Sequence, residues 1–225
     1  MREQFRQELN EFHAEVVDIT RAVTVAVRRA VDSLVAGDVD AAAEVIAGDG
    51  VIEARCLMVE ERALETIATQ FPVARDLRLI QTLTFAAWHL ERMSDLSVNI
   101  AKATRRTADR KGPQTLYDLI QAQGNLVYRV LDATREAIEN RDLELARKLP
   151  ELDEPIDHLY KQFFRELARL QEQEDIEWAS LMVLASRHLE RIADNAVDIG
   201  ERLVFLVTGE REDIEAGASP AADKR

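Results

Sequence analysis

Residues 89–100 read HLERMSDLSVNI, and residues 188–199 read HLERIADNAVDI. Seven of the twelve positions coincide, and the second segment lies 99 residues beyond the first. A weaker correspondence pairs Asp38, Ala42, Asp49, Ile52 and Glu53 with Asp142, Ala146, Asp153, Ile156 and Asp157, at an offset of 104. The second half is therefore five residues shorter between the two matches, and the corner around Phe71 and Pro72 is where loop length can change without disturbing a core. Self-similarity at one spacing marks a duplicated unit.

Outward from these segments, apolar residues recur three and four apart, the spacing of one face of an amphipathic helix. Val16, Ile19, Val23, Ala26, Val27, Ala30, Val31 and Leu34 predict a first helix from about Arg2 to Ala36. Gly37 is its expected C-cap and Asp38 the N-cap of a second helix ending near Gln70. Pro72 is expected at the first position of a third helix, which runs through Leu77, Ile80, Leu83, Ala87, Leu90 and Ile100 to Thr107. Residues 108–113, ADRKGP, combine charge, Gly and Pro and predict a linker. A fourth helix is expected from Gln114 to Glu139, a corner at Asn140 and Asp142, a fifth helix to about Gln173 and a sixth from about Glu174 to Val207. The remainder, residues 209–225, is polar and poor in core residues and reads as a disordered tail.

The expected class is all-α: two tandem, pseudo-symmetric three-helix bundles of six long helices, the first over residues 1–107 and the second over 114–208. Composition agrees, with eight glycines and five prolines in 225 residues. Helices of this length need partners, and short turns between them give up-down-up packing.

The formal charge is −13, which repels phosphate backbones and argues against nucleic-acid binding. Cys56 is the single cysteine, so no internal disulfide or cysteine zinc site forms, and a reducing compartment is implied. No secretory leader and no run of eighteen apolar residues occurs, which predicts a cytoplasmic protein without membrane insertion.

The chemistry lies on the repeated segments. Residues four apart share a helix face, so Glu91, Asp95 and Asn99 form one oxygen-rich strip and Glu190, Asp194 and Asp198 another. The second helix of each half adds a pair at the same spacing, Asp49 with Glu53 and Asp153 with Asp157. If second and third helices pack side by side, each half gathers four carboxylates. Such a cluster suits Mg²⁺, Mn²⁺ or Ca²⁺ and, with more covalency, iron or zinc. The competing interpretation is a solvated face with ion pairs to arginines such as Arg92 and Arg191. Gly48 and Gly50 beside the first pair, and Pro150 and Pro155 beside the second, predict a kink or break in both helices.

His89 and His188 each precede their Glu by two residues, about 200° around the helix, and so fall outside the carboxylate face. His13 and His158 have no partner pattern, and Cys56 reads as a small buried hydrophobe. No Glu-x-x-His, phosphate loop or nucleophile elbow occurs, so an enzyme is not indicated. A metal-storage bundle of di-iron type and a purely structural dimerisation module stand as alternatives.

PVARDLR at 72–78, HLERMSDLSVNIAK at 89–102 and HLERIADNAVDIGE at 188–201 closely resemble the signature segments of PhoU proteins, and the likeness spans roughly residues 5 to 208. The resemblance implies two three-helix bundles with a Glu(Asp)-x-x-x-Asp metal motif in each, here Glu91 with Asp95 and Glu190 with Asp194, holding iron or zinc clusters. Asp49, Glu53, Asp153 and Asp157 match less closely, and Asn99 and Asp198 extend the motif. It further implies negative regulation of phosphate uptake and of the phosphate-starvation response, by a cytoplasmic adaptor recruited to the membrane through its partners. Those partners are the ATPase subunit of the phosphate-specific ABC transporter and a membrane sensor histidine kinase. Self-association as a homodimer is also expected.

Overall fold

The structure, a computed structural model, describes residues 2–169 and 176–210. Among these it contains helices and no strand: α1 (Arg2–Ala36), α2 (Val39–Gln70), α3 (Ala74–Thr107), α4 (Gln114–Asn140), α5 (Leu143–Arg147), α6 (Leu149–Leu167) and α7 (Ile176–Thr208). The expected end of the fifth helix at Gln173, the start of the sixth at Glu174 and the tail from residue 211 lie outside the described residues.

The duplication is visible in backbone geometry at the first corner of each half. Gly37 takes φ +68°, the Asp38 N–H returns to the Ser33 carbonyl at 2.9 Å, and Asp38 Oδ1 accepts from the Ala41 N–H. At the equivalent corner Arg141 takes φ 53°, the Asp142 N–H returns to the Ala137 carbonyl at 3.0 Å, and Asp142 Oδ1 accepts from the Leu145 N–H. Both turns are left-handed terminations that satisfy the last carbonyls and at once cap the next helix. The expected caps at Gly37 and Asp38 and the corner at Asp142 are thus present.

Three sequence expectations change. Pro72 does not open α3: Phe71 turns left-handed at φ 47°, Val73 is extended, and the helix starts at Ala74. A residue before proline is kept out of the right-handed helix, so α2 must stop before the corner. The expected fifth helix is two helices, and the break predicted beside its prolines falls at Lys148 (φ −87°, ψ −9°), with Pro150 in the first turn of α6 where its missing N–H costs nothing, while α6 continues through Pro155. The break expected at Gly48 and Gly50 is absent, because glycine keeps its N–H and α2 continues through both.

The helices form one continuous core. In the centre α1 packs on α3 and α4, and α7 packs on α3 and α4, giving a four-helix group drawn from both halves. Helix α2 covers the α1 and α3 side, and α5 and α6 cover the α4 and α7 side. The α1 stripe of Val16, Ile19, Val23, Val27, Val31 and Leu34 is almost wholly buried. Burying each such side chain contributes about 1.5–3 kcal/mol.

Specific contacts join the halves. His13 Nε2 donates to the Ile138 carbonyl at 2.8 Å, and Tyr128 Oη donates to the Arg28 carbonyl at 3.3 Å. Gly124 lets α1 and α4 approach closely, since a Cβ there would lie 2.8 Å from Val31 Cγ1. Within the second half, Gln123 and Ser186 exchange two buried hydrogen bonds, Nε2 to the Ser186 carbonyl at 3.1 Å and Ser186 Oγ to Oε1 at 2.7 Å. Gly112 in the connecting segment lies against the Trp178 ring, whose Nε1 donates to Tyr117 Oη.

Gly48 and Gly50 lie inside α2 with open space where a Cβ would go. Gly48→Ala and Gly50→Ala should therefore each stabilise the protein by about 0.5–1 kcal/mol in urea denaturation. Destabilisation by either would contradict an unbroken α2.

Candidate functional site

The carboxylate strips sit where the covering helices meet the central group. On α3 the core takes Leu90, Met93, Leu96, Ser97 and Ile100, which leaves Glu91 half-buried and Asp95 and Asn99 exposed along the adjoining face. On α7 the core takes Leu189, Ile192, Ala193, Ala196 and Ile199, leaving Asp194 and Asp198 exposed and Glu190 buried. The neighbouring helices α2 and α6 bring Asp49, Glu53, Asp153 and Asp157 to the same two places.

The electrostatics show the grouping. Burial, then the charges of Asp95, Glu53 and Asp49, push the Glu91 carboxyl above its ordinary value, with Arg92 opposing. In the second half burial, then Asp194, Asp157 and Glu190, push Asp153 up to about 7. Glu190 is raised by burial and then Asp194, and Asp194 by burial and then Asp157, with Arg187 opposing in both cases and Asp198 adding to the rise of Asp194. The side-by-side packing expected of second and third helices is present, and the four carboxylates of each half stand near enough to raise one another's proton affinity, with Asp198 acting on the second group.

Hydrogen bonding divides the two groups. Ser94 Oγ donates to Asp49 Oδ1 at 2.6 Å. In the second half Arg187 pairs with Glu190 Oε1, while Glu190 Oε2 and Asp153 Oδ1 are buried without a hydrogen-bond partner. Unpartnered buried carboxylate oxygens are costly and favour either a proton or a cation beside them. The donor set of hard oxygens in both groups suits such a cation. Among the described residues, however, no three His, Cys, Asp or Glu side chains converge at ligand separation as they stand.

Sequence reasoning missed several participants. Ser94 and Arg187 flank the motif at positions with no metal-ligand signature; only the helical spacing of three from Arg187 to Glu190 hinted at pairing. Asp198 also reaches the other half: its Oδ2 lies 3.5 Å from His89 Nδ1, which donates to Asn195 Oδ1 at 2.8 Å. His89 packs on the Phe85 ring, so it acts between α3 and α7, away from the carboxylates of its own helix. His188 is half-buried, and burial lowers its proton affinity. Behind Glu91, the buried Cys56 thiol is pushed up to about 12 by burial first and then by Glu91, which keeps it protonated and unreactive.

A carboxyl whose folded pKa exceeds its unfolded value destabilises the fold when ionised. For Asp153 the window runs from its ordinary 3.8 to about 7, so metal-free protein should gain stability as pH falls through that range. The unscreened shift corresponds to about 4 kcal/mol. Solvent at this half-buried group reduces that to roughly 1–2 kcal/mol. Asp153→Asn, melted in chelator, should accordingly be more stable than wild type at pH 8, with the gain vanishing near pH 4. A variant less stable at pH 8 would show the carboxylate is satisfied there.

Comparison with known proteins places this arrangement. The PhoU domain model matches residues 16–104 and again 120–203, one match in each half. The chain is 30% identical to phosphate-specific transport system accessory protein PhoU homolog 1 of Mycobacterium bovis over 93% of its length and 95% of that protein. It is 28% identical to the protein of the same name from Methanothermobacter thermautotrophicus, over 92% of this chain and 95% of the other. The crystal structure of PhoU from Pseudomonas aeruginosa superposes with a TM-score of 0.87 at 26% identity, covering 92% of this chain and 100% of that one. The phosphate transport system regulatory protein PhoU from Streptococcus pneumoniae superposes with a TM-score of 0.84 at 28% identity, covering 93% and 99%. With a PhoU match in each half and near-complete overlap with PhoU crystal structures, the chain belongs to the PhoU family.

Proposed function

We propose that this protein is a regulatory accessory factor of phosphate transport, acting as a cytoplasmic adaptor between the phosphate-specific ABC transporter and a sensor histidine kinase and restraining both uptake and the starvation response. The observation that carries this reading is the PhoU match to both halves, with a carboxylate group on each. Among the described residues no helix is long and apolar enough to cross a membrane, in keeping with recruitment through the transporter's ATPase subunit.

Metal enters this reading as part of the docking surface. In the first half Asp49, Glu53, Glu91 and Asp95 would hold it, with Asn99 at the edge; in the second Asp153, Asp157, Glu190 and Asp194, with Asp198. Iron or zinc accords with the family resemblance and Mg²⁺ or Mn²⁺ with the oxygen donors. A bound cation would neutralise the carboxylates and convert an acidic face into one that bridges to a partner. The residues themselves supply a rigid placement of that face, because each strip rides on a helix locked into the common core. For regulation the adaptor must prefer one state of the transporter, since a ligand with equal affinity for both shifts nothing. Pairing of two copies as a homodimer would present the faces in duplicate.

Transporter in detergent, pulled down with this protein in ATP, in ADP and with phosphate loaded, tests the proposal. Binding should differ between nucleotide states, and changing Glu91, Asp95, Glu190 and Asp194 together to Ala should weaken it at least tenfold. Equal capture in every state would refute state-dependent docking. Undiminished capture by a metal-free quadruple variant would remove metal from the docking surface.

A further inference from the structure

The first half carries an apolar patch on its surface. Trp88 lies one turn before Glu91 on the same flank of α3 and is 70% exposed. Leu57 and Leu64 continue the flank of α2 that holds Asp49 and Glu53, and they are 54% and 63% exposed. Helices α2 and α3 run antiparallel, with Asp49 against Ser94 and Cys56 behind Glu91, so Leu57 and Trp88 come level on adjoining helices. A lone surface leucine is ordinary, whereas grouped apolar side chains with a polar rim mark an interaction surface. The rim here is acidic, formed by Glu53, Glu91 and Asp95.

The repeat shows what such carboxylates accept. It aligns Trp88 with Arg187 and Leu57 with Lys161. Arg187 pairs with Glu190, the counterpart of Glu91, and its guanidinium carbon lies 5.6 Å from the centre of the Tyr160 ring. The second half therefore meets its acid with its own arginine, laid over an aromatic ring. In the first half the nearby arginines are engaged elsewhere, Arg55 with Glu15 and Arg62 with Glu11. Arg92 opposes the rise of Glu91 without pairing to it, and among the described residues Glu53, Glu91 and Asp95 form no ion pair. An aromatic face beside free carboxylates is the combination a guanidinium recognises, by attraction to the ring and by charge-assisted hydrogen bonds.

Resting on the adaptor reading above, we infer that the Trp88, Leu57 and Leu64 face docks an amphipathic helix of the protein partner. That helix places an arginine over Trp88 and against Glu91 and Asp95, the position that Arg187 fills internally in the second half. Its apolar side chains seat on Leu57 and Leu64. Tryptophan and arginine are the residues that most often dominate the energy of such contacts.

A fluorescein-labelled helical peptide with leucines on one face and arginines on the other, titrated with full-length protein in chelator, tests the docking by anisotropy. Trp88 and Trp178 are the only tryptophans and Trp178 is buried, so unlabelled peptide should also shift the emission of wild type to shorter wavelength through Trp88. Trp88→Ala, and separately Glu91→Gln with Asp95→Asn, should each weaken binding at least tenfold, with circular dichroism confirming the fold. Trp88→Arg, which supplies the internal cation of the second half, should weaken it as much. Exchanging the peptide's arginines for lysines should cost several-fold, and for glutamates should abolish binding. Unchanged binding by Trp88→Ala, equal binding of the glutamate peptide, or a wild-type dimer that Trp88→Ala dissolves would overturn the inference, the last by showing that a second copy occupies the face. So would transporter capture that Trp88→Ala leaves intact. Peptide binding that depends on Trp88, with no transporter capture by wild type, would instead overturn the adaptor reading and leave the docking face standing.

Discussion

The contact between α3 and α7 is the constraint on which the other features depend. These helices carry the repeated segments, and each is held by the central core on one side while its covering helix approaches on the other. Leu90, Met93 and Ile100 on α3, and Leu189, Ile192 and Ile199 on α7, are removed almost completely from water. That burial fixes the rotation of both helices, and helical periodicity then dictates where the carboxylates point. His89 bridges the two helices through its contacts with Asn195 and Asp198.

Holding acids there opposes stability. Burial and mutual repulsion raise the proton affinity of Glu91, Asp153, Glu190 and Asp194, so the ionised cluster stores unfavourable energy that the apolar core must outweigh. A surface under this tension responds to what is added to it, because a proton or a cation gains more there than on an ordinary solvated face. A rigid bundle with polar groups left incompletely paired can exchange its own repulsion for contacts with an ion or a partner.

Duplication explains both the symmetry and its failures. The corners at Gly37 and Arg141 share backbone geometry although one is glycine and the other arginine, which shows that the turn persists because the flanking helices demand it. Elsewhere the copies have diverged even beside the core, where Leu149 and Ala193 are fully buried. Helix α2 is unbroken through two glycines, whereas its counterpart divides at Lys148 ahead of a proline. Ser94 donates to Asp49 in the first half, whereas alanine stands at the aligned position 193 and Asp153 Oδ1 has no hydrogen-bond partner.

Much of this was legible in the residues themselves. Apolar periodicity, the Gly37–Asp38 cap and the paired HLER segments determined the helices, the duplication and the grouping of carboxylates, because these follow from local propensity and from which residues share a helix face. The break ahead of Pro150 was legible as well, but the start of α3 was not, since it depends on how the chain must turn to bring the next helix onto the core. Nor could the sequence show that the halves share one core, or that Asp198 reaches His89 in the other half, because such contacts arise between residues distant along the chain. Sequence by itself determined which side chains lie on each face; only the tertiary structure decided which faces meet, because long-range packing sets the rotation and register that bring one helix's atoms within hydrogen-bonding distance of another's.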